Sequence, residues 1–287
     1  ETSQRTAVTA TNPRRNKALQ DEDPLVEVLT VTEIPEQTPY ETAIEAAEGR
    51  TKRIQKSLAA ADLDADYTVA GHICQDVAFD IVQTARDGGA DLIVMGYPQQ
   101  HTHVAEGVEY DAPCGVLFAS GLADSTDFDV VNVGAGGGPH HLGLLPVIER
   151  MGQHGIAINV INVAPQGGGG RAETPDATLA GLAGAPEVHV QNLTAPTVAD
   201  GLVETAAENG GILVIGATRT RRLRRWVFGS TPDRVITSAD AAGVPVLVYA
   251  DPRGIHGLVE DYIYPLYRRL VGREPGRTTE TNARADR

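Results

Sequence analysis

The sequence predicts an α/β protein made of two tandem domains, each a five-stranded parallel sheet with helices on both faces. Residues 77–96 read much like residues 198–216: in both segments an amphipathic helix is followed by a Gly-rich turn and a buried strand. Short apolar strands also alternate with helical stretches along the whole chain. Such alternation, in a unit that is used twice, is typical of parallel sheets covered on both faces.

The other strands recur in the same order, and the changing distance between matching strands locates gains and losses. The opening strands at 7–10 and 130–133 are 123 residues apart, whereas the second strands at 26–31 and 158–163 are 132 apart. The first domain therefore lacks nine residues of its first helix. By the same comparison, the first domain has eleven extra residues, which lie in a long helix around 41–60. It also lacks ten residues between its fourth and fifth strands.

We expect three segments: a degenerate first domain at residues 1–122, a second domain at 126–251, and a C-terminal helix with a disordered tail at 252–287. The C-terminal helix carries leucine and tyrosine side chains along one face. The helical period favours packing of that face against the body or a partner, and contact with a membrane surface is the alternative.

The chain is strongly acidic, with a net charge of −14 over 287 residues. This charge disfavours nucleic acid and anionic membrane surfaces as partners. Residues 1–123 carry −11 and residues 124–287 carry −3, so the halves differ. Three lysines against 21 arginines, together with the acid excess, are typical of halophilic proteins. No signal peptide or apolar run of ~20 residues is visible, and the two cysteines lack metal spacing, so we expect a cytoplasmic protein with buried free thiols.

The segment after the fourth strand of the second domain predicts a phosphate site. Gly216 ends that strand. Gly229 and Ser230 precede Thr231, which we expect to cap the next helix. Free backbone N–H groups at a helix start, approached closely at a glycine, form an anion site. Five arginines stand in the same loop: Arg219, Arg221, Arg222, Arg224 and Arg225. The alternative is that the glycines only shape turns and the arginines form a solvated helix face.

The spacing Gly216-x2-Arg219-x9-Gly229-Ser230 resembles the universal stress protein (UspA) family, whose nucleotide-binding members carry G-x2-G-x9-G-S/T after the fourth strand. Tandem forms occur in that family, and the resemblance covers both domains. It implies a Rossmann-like fold of the adenine nucleotide alpha hydrolase type that holds ATP or AMP, with or without Mg²⁺, and with the adenine near Val163. The implied cofactor-binding residues are Gly134, Ala135, Val163, Gly216, Ala217, Arg219, Gly229, Ser230 and Thr231.

Two positions depart from the family pattern. Arg219 stands where the family has its second glycine, so it would either crowd the phosphates or bind them. Gly134 stands where nucleotide-binding members have an Asp, which removes a carboxylate for metal-assisted binding. Gly134 also opens a glycine-rich segment that ends in His140 and His141, and this segment is either part of the pocket or a tight turn. The histidines would contact phosphate or simply start a helix. We expect no metal site.

The sequence favours a binding module over an enzyme, because no Ser-His-Asp set or other catalytic motif is visible and we expect no catalytic residues. The favoured function is an adenine-nucleotide-binding regulatory module, a pseudo-dimer within one chain, whose second domain alone holds the nucleotide. The loop ending FGSTPD resembles the cytoplasmic tails of amino-acid permeases in halophilic archaea, which implies a membrane transporter as partner and a role in stress response. A homodimer, a slow ATPase or phosphotransferase, and a purely structural dimerisation domain stay open.

Overall fold

The computed structural model describes residues 4–11, 25–35, 39–60, 66–97, 102–122, 129–136, 139–166, 176–217 and 230–251. The described residues all belong to one compact unit. The predicted C-terminal helix lies outside the described residues. The predicted boundary between the two domains falls inside the compact unit, and we call its two parts the first repeat (residues 4–122) and the second repeat (residues 129–251).

Strands and helices alternate along the described chain. The strands are β1 (Gln4–Thr11), β2 (Leu25–Glu33), β3 (Tyr67–Cys74), β4 (Ala90–Gly96), β5 (Gly115–Ser120), β6 (Val130–Gly134), β7 (Ala157–Pro165), β8 (Val188–Ala195), β9 (Ile212–Gly216) and β10 (Val246–Ala250). The helices are α1 (Glu41–Ala60), α2 (Val77–Gly88), α3 (Thr102–Asp111), α4 (Pro139–Gln153), α5 (Asp176–Gly181), α6 (Val198–Asn209) and α7 (Ser230–Ala242).

The ten strands belong to a single sheet with the order β3-β2-β1-β4-β5-β10-β9-β6-β7-β8. Each repeat therefore places its own third, second, first, fourth and fifth strands in that order from the outer edge to the middle. β5 and β10 join the repeats as antiparallel neighbours, with Val246 opposite Ser120 and Ala250 opposite Val116. The predicted α/β fold class is confirmed. Because β5 and β10 run in opposite directions, the carboxyl ends of β2 to β5 lie on one side of the sheet and those of β6 to β10 on the opposite side.

Strand β1 departs from the predicted all-parallel arrangement. It runs antiparallel to both neighbours, with Gln4 opposite Thr32 in β2 and Ala7 opposite Met95 in β4. Its counterpart β6 is parallel to β7 and β9. A parallel connection between adjacent strands needs a crossover of a dozen or more residues, usually a helix, whereas antiparallel strands need only a turn. Thirteen residues, 12–24, join β1 to β2, against the twenty-two residues 135–156 between β6 and β7. The shorter connection is near the lower limit for a helical crossover and ample for an antiparallel turn, which is consistent with the reversal.

Two apolar layers cover the two faces of the sheet. On one face, α2, α3, α6 and α7 share a layer that contains the buried residues Ile81, Ile93, Phe118 and Val248 from both repeats. On the other face, α4 packs against the second repeat, and its Leu144 is fully buried. Burial of each large aliphatic side chain contributes roughly 1.5–3 kcal/mol. The shared first layer makes the two repeats one packed body rather than two cores joined by a linker.

The repeated helices α2 and α6 begin in the same way, and both end at a glycine, although Gly89 is left-handed (φ 65°, ψ 39°) and Gly210 is not (φ 73°, ψ −175°). The Asp76 side chain accepts the backbone N–H of Phe79 at 2.9 Å, and Thr197 accepts that of Asp200 at 3.1 Å. These caps satisfy N–H groups that have no partner inside the helix. The likeness seen in the sequence therefore extends to the starts of the two helices.

A network of side-chain amides ties the end of α6 to the sheet of the second repeat. Asn132, fully buried in β6, donates its Nδ2 to the Gly210 carbonyl at 2.7 Å, and its Oδ1 accepts Nδ2 of Asn209 at 2.8 Å. Asn209 also bonds Gln191 in β8 at 3.0 Å. A buried polar group costs free energy unless it is hydrogen-bonded, so the burial of the Asn132 side chain depends on its bonds to the Gly210 carbonyl and to Asn209.

We expect Asn132→Ala to lower the free energy of unfolding by about 2–4 kcal/mol, because it removes the hydrogen bonds of a fully buried amide to the Gly210 carbonyl and to Asn209 and leaves a cavity in its place. Urea unfolding followed by circular dichroism measures the change. The control is Asn162→Ala, which removes an exposed amide bond to Asn192 on the neighbouring strands and should cost less than about 1 kcal/mol. Equal losses in the two variants would contradict the special position of Asn132.

Candidate functional site

The carboxyl ends of β6 and β9 form the topological switch point of the second repeat. The two strands are neighbours, with Val133 opposite Val214. From β6 the chain leaves for α4 on one face of the sheet, and from β9 it leaves towards α7 on the other face. Ligands of open parallel sheets bind in the crevice that such a divergence creates. The structure thus brings the predicted residues Gly134, Ala135 and Gly216 together at one place.

The backbone fixes these residues closely. The N–H of Ala135 donates to the Ile161 carbonyl at 2.7 Å, and that of Ala217 donates to the Tyr249 carbonyl at 2.8 Å. A Cβ at Gly134 would lie 3.2 Å from both Ile215 and Leu202 side-chain atoms. A side chain at position 134, where the family pattern has Asp, would therefore have to shift these two side chains by a few tenths of an ångström. Val163, at the end of β7, is 9% exposed, and its side chain lies against Gly201 of α6.

Gly216 allows the first turn of α4 to pack directly on the end of β9. A Cβ at this position would lie 2.9 Å from the backbone nitrogen of His141 and 3.2 Å from the carbonyl carbon of His140. Real Cβ atoms do not approach backbone so closely, so any side chain here would displace the helix. This packing role could not be deduced from the sequence motif, which points only to phosphate.

The two histidines of the glycine-rich segment lie inside the protein. Nδ1 of His140 accepts the backbone N–H of Asp251 at 2.9 Å, and Nε2 of His141 lies 2.8 Å from Oγ1 of Thr178 in α5. His140 is 6% exposed and His141 is 4% exposed. Burial lowers the pKa of His141, which favours the neutral imidazole. Of the two interpretations offered by the sequence, the structure favours the one in which these residues start and anchor a helix.

Helix α7 begins at the same edge of the sheet, because it connects the carboxyl end of β9 to the amino end of β10. Its first residues are Ser230 and Thr231, so Thr231 lies inside the helix rather than at the predicted cap position. Helix limits of this kind shift by one or two residues with local hydrogen bonding. Arg219 and Gly229, which were predicted to bind phosphate, lie outside the described residues.

Helix α7 is also bonded to the first repeat near both of its ends. The hydroxyl of Tyr97, just after β4, donates to Oδ1 of Asp233 in the first turn of α7 at 2.7 Å. The hydroxyl of Ser120, at the end of β5, donates to Oδ1 of Asp240 near the other end at 3.3 Å. No sequence pattern predicts either bond, since the partners lie more than a hundred residues apart in the chain.

A buried acid lies near this contact between the repeats. Glu109 in α3 is 5% exposed, and its Oε2 has no hydrogen-bond partner among the described residues. Burial, with a smaller contribution from Glu106, raises the pKa of Glu109 to about 8. Its charge also contributes to the raised pKa of Tyr97, after burial and the bond to Asp233. Glu109 is therefore a neutral carboxylic acid at neutral pH.

The first repeat has a different arrangement at its own carboxyl edge. Because β1 is reversed, its carboxyl end lies at the opposite edge from those of β2 and β4. A groove of about 580 Å³ between α2 and α3 is lined by the carboxylates of Glu33, Asp76 and Asp111 and by the side chains of Arg86 and His103. The acids outnumber the one arginine, so the groove is a poorer environment for phosphate than an arginine-rich loop.

Other chemistry is limited in the described part of the chain. No three His, Cys, Asp or Glu side chains converge there as a metal site would require. Burial raises the pKa of Cys114 to about 12 and that of Cys74 to about 12, so both remain thiols. None of the described helices is long and apolar enough to cross a membrane.

Comparison with known proteins shows the fold. No family model matches the sequence, and no curated protein matches it either. The structure is similar to a universal stress protein from Archaeoglobus fulgidus, with 20% identity and a TM-score of 0.54 over 75% of this chain and 80% of that one. A functionally unknown protein from Pseudomonas aeruginosa PAO1 has 17% identity and a TM-score of 0.51, covering 82% of this chain and 85% of its own. A putative universal stress protein from Pseudomonas aeruginosa UCBPP-PA14 has 16% identity and a TM-score of 0.50 over the same shares.

We expect Gly216→Ala to lower the free energy of unfolding by about 1–3 kcal/mol, because the new methyl group meets the backbone of α4. Thermal and urea unfolding provide the measurement. Gly96→Ala is the matched control: Gly96 ends the equivalent strand of the first repeat, and a Cβ there has nothing within 4 Å. Its effect should stay within about 0.5 kcal/mol. A harmless Gly216→Ala would show that α4 does not pack against this strand end.

We expect the free energy of unfolding to fall as the pH rises from about 4.5 to about 8, because folded Glu109 keeps its proton over that range while the unfolded residue loses it. Glu109→Gln should remove roughly 2–5 kcal/mol of this fall, a value that follows from the size of the pKa difference. Urea unfolding at several pH values measures the slope. Asp111→Asn, which changes an exposed acid on the same helix, should leave the slope intact, and an unchanged slope in Glu109→Gln would disprove the assignment.

Proposed function

We propose that the chain is a universal stress protein-type regulatory module that binds an adenine nucleotide, ATP or AMP, in its second repeat only. The observation that carries the proposal is the crevice between β6 and β9, where glycines end both strands and the first turns of α4 and α7 begin on either side. Helix starts present free N–H groups and a positive dipole end, which favour phosphate. The phosphates would lie near Gly216, Ala217, Ser230 and Thr231, with Arg219 and Gly229 completing the loop.

The asymmetry of the two repeats supports a single site. The second repeat keeps five parallel strands and the arginine-rich loop, and residues 124–287 carry a net charge of only −3. The first repeat has a reversed opening strand, an acidic groove and a charge of −11 over residues 1–123. A dianionic or more highly charged ligand therefore has a favourable environment in one repeat and an unfavourable one in the other.

Binding without turnover is the form of the function that the described residues favour. Gly134 offers no carboxylate to a magnesium ion. Asp233 accepts the Tyr97 hydroxyl, and Asp251 is 2% exposed, with its carboxylate against Gly143 in α4. A hydrolase needs a base within hydrogen-bond reach of the attacking water, and these two carboxylates are engaged elsewhere. A slow ATPase is the second candidate function, and it depends on residues of the loop.

The partner we propose is a membrane transporter of a halophile. The nucleotide-bound module would regulate it from the cytoplasm. The likeness of the FGSTPD loop to permease tails supports this partner. The net charge of −14 argues against nucleic acid. The joined repeats supply the pseudo-dimer within one chain, and further pairing into a homodimer is a separate question for solution measurements.

We expect saturable binding of ATP or AMP at high salt and no release of phosphate. Isothermal titration calorimetry and a phosphate-release assay measure the two properties. Ligand at 100 times its Kd should raise the free energy of unfolding by about 2.7 kcal/mol. Gly229→Arg should abolish binding by filling the loop. The control is Gly49→Arg in α1, where a Cβ has nothing within 4 Å and the added charge is the same.

Each other outcome identifies a different function. If the wild-type protein binds neither ATP nor AMP, the remaining candidate function is a purely structural dimerisation domain. Binding accompanied by steady phosphate release would identify an ATPase. Equal binding by Gly229→Arg and wild type would place the nucleotide away from the loop.

A further inference from the structure

The bond between Tyr97 and Asp233 joins the first repeat to the part of the second repeat that the proposed function requires. Asp233 lies in the first turn of α7, two residues after Thr231. Its partner Tyr97 comes from the end of β4 in the first repeat, 136 residues away in the chain. The helix start that would receive phosphate is thus held from outside its own repeat.

Tyr97 is itself held in a fixed position. Its backbone N–H donates to the Ala119 carbonyl at 2.7 Å, so it stays attached to the neighbouring strand β5. Its ring packs edge-on against Phe118, with the centroids 6.5 Å apart and the planes at 85°. Phe118 is fully buried opposite Val248 of β10, at the pairing that joins the repeats. The phenol therefore reaches α7 from a rigid base.

The carboxylate of Asp233 affects the helix start in two ways. A negative charge in the first turn stabilises the helix through its dipole. The same charge would repel a bound phosphate if it turned towards the free N–H groups. The bond to Tyr97 engages one oxygen at the contact between the repeats. Burial and Asp233 raise the pKa of Tyr97, so the phenol stays protonated and able to donate.

We propose that Tyr97 is a positioning residue for the nucleotide site: by binding Asp233 it orients the first turn of α7 for the phosphates, so the site of the second repeat depends on the first. The inference rests on the proposed function. The residue that occupies the position of Tyr97 in the second repeat is Ala217, which has no side chain able to make the reciprocal bond. The dependence therefore runs in one direction.

Helix α7 offers a matched pair of variants to test this role. Tyr97→Phe removes the bond near the start of the helix, and Ser120→Ala removes the bond near its other end. Each change deletes one hydroxyl between the same helix and the same repeat. We expect Tyr97→Phe to weaken ATP binding about three- to tenfold, measured by titration calorimetry at high salt, and Ser120→Ala to change it less than about twofold. Thermal unfolding of both variants records any common loss of stability.

A second comparison tests whether Tyr97 acts through Asp233. In an Asp233→Ala background, Tyr97→Phe should have no further effect on the affinity for ATP, because its partner is already gone. Additive effects of the two changes would overturn the assignment, and so would equal losses of affinity in Tyr97→Phe and Ser120→Ala. Wild-type protein that binds no ATP would overturn the proposed function and this inference together. ATP binding that Tyr97→Phe leaves intact would overturn this inference alone.

Discussion

The antiparallel pairing of β5 with β10 is the interaction on which the rest of the structure depends. Five residues of each strand face each other, from Val246 opposite Ser120 to Ala250 opposite Val116. This pairing converts two half-sheets into one and places Phe118 and Val248 in a common apolar layer. It also sets the direction of the helices that follow the strands. The carboxyl ends of β2 to β5 and of β6 to β10 lie on opposite sides of the sheet, and α7 of the second repeat contacts the first repeat.

In that arrangement the first repeat contacts the second repeat directly. Its contribution to the second repeat is made through hydroxyl groups at the ends of β4 and β5 and through the shared apolar layer. The acid Glu109 occupies a buried position near the same contact, where it has to stay protonated. The contact between the repeats thus combines apolar packing with a few polar groups whose protonation and geometry matter.

Local patterns in the sequence were sufficient for the secondary structure and for the repeat. The long helix expected around residues 41–60 is α1, and the alternation of apolar strands with amphipathic helices gave the fold class. These features depend on periodicity and caps within a short stretch of chain. Of the residues predicted for the site, Gly134 and Gly216 end the neighbouring strands β6 and β9, because parallel strands bring their carboxyl ends to one side of the sheet.

The remaining features depend on groups that are distant in the chain. The direction of β1 is set by its pairing with β2 and β4, which the loss of nine helix residues in the sequence does not reveal. The packing of α4 on Gly216 and the burial of His140 and His141 follow from the angle at which a helix meets the sheet. The bond between Tyr97 and Asp233 joins two unremarkable positions, and only the folded chain brings them together.

The reversed strand β1 has a consequence for how this protein can change over evolutionary time. A loop that has lost its binding residues can regain them by point substitutions, because the direction of the strands beside it is unchanged. Making β1 parallel to its neighbours would instead require a longer crossover to β2 and new hydrogen-bond registers with both β2 and β4. The direction of β1 is therefore much harder to change by substitution than the sequence of a loop.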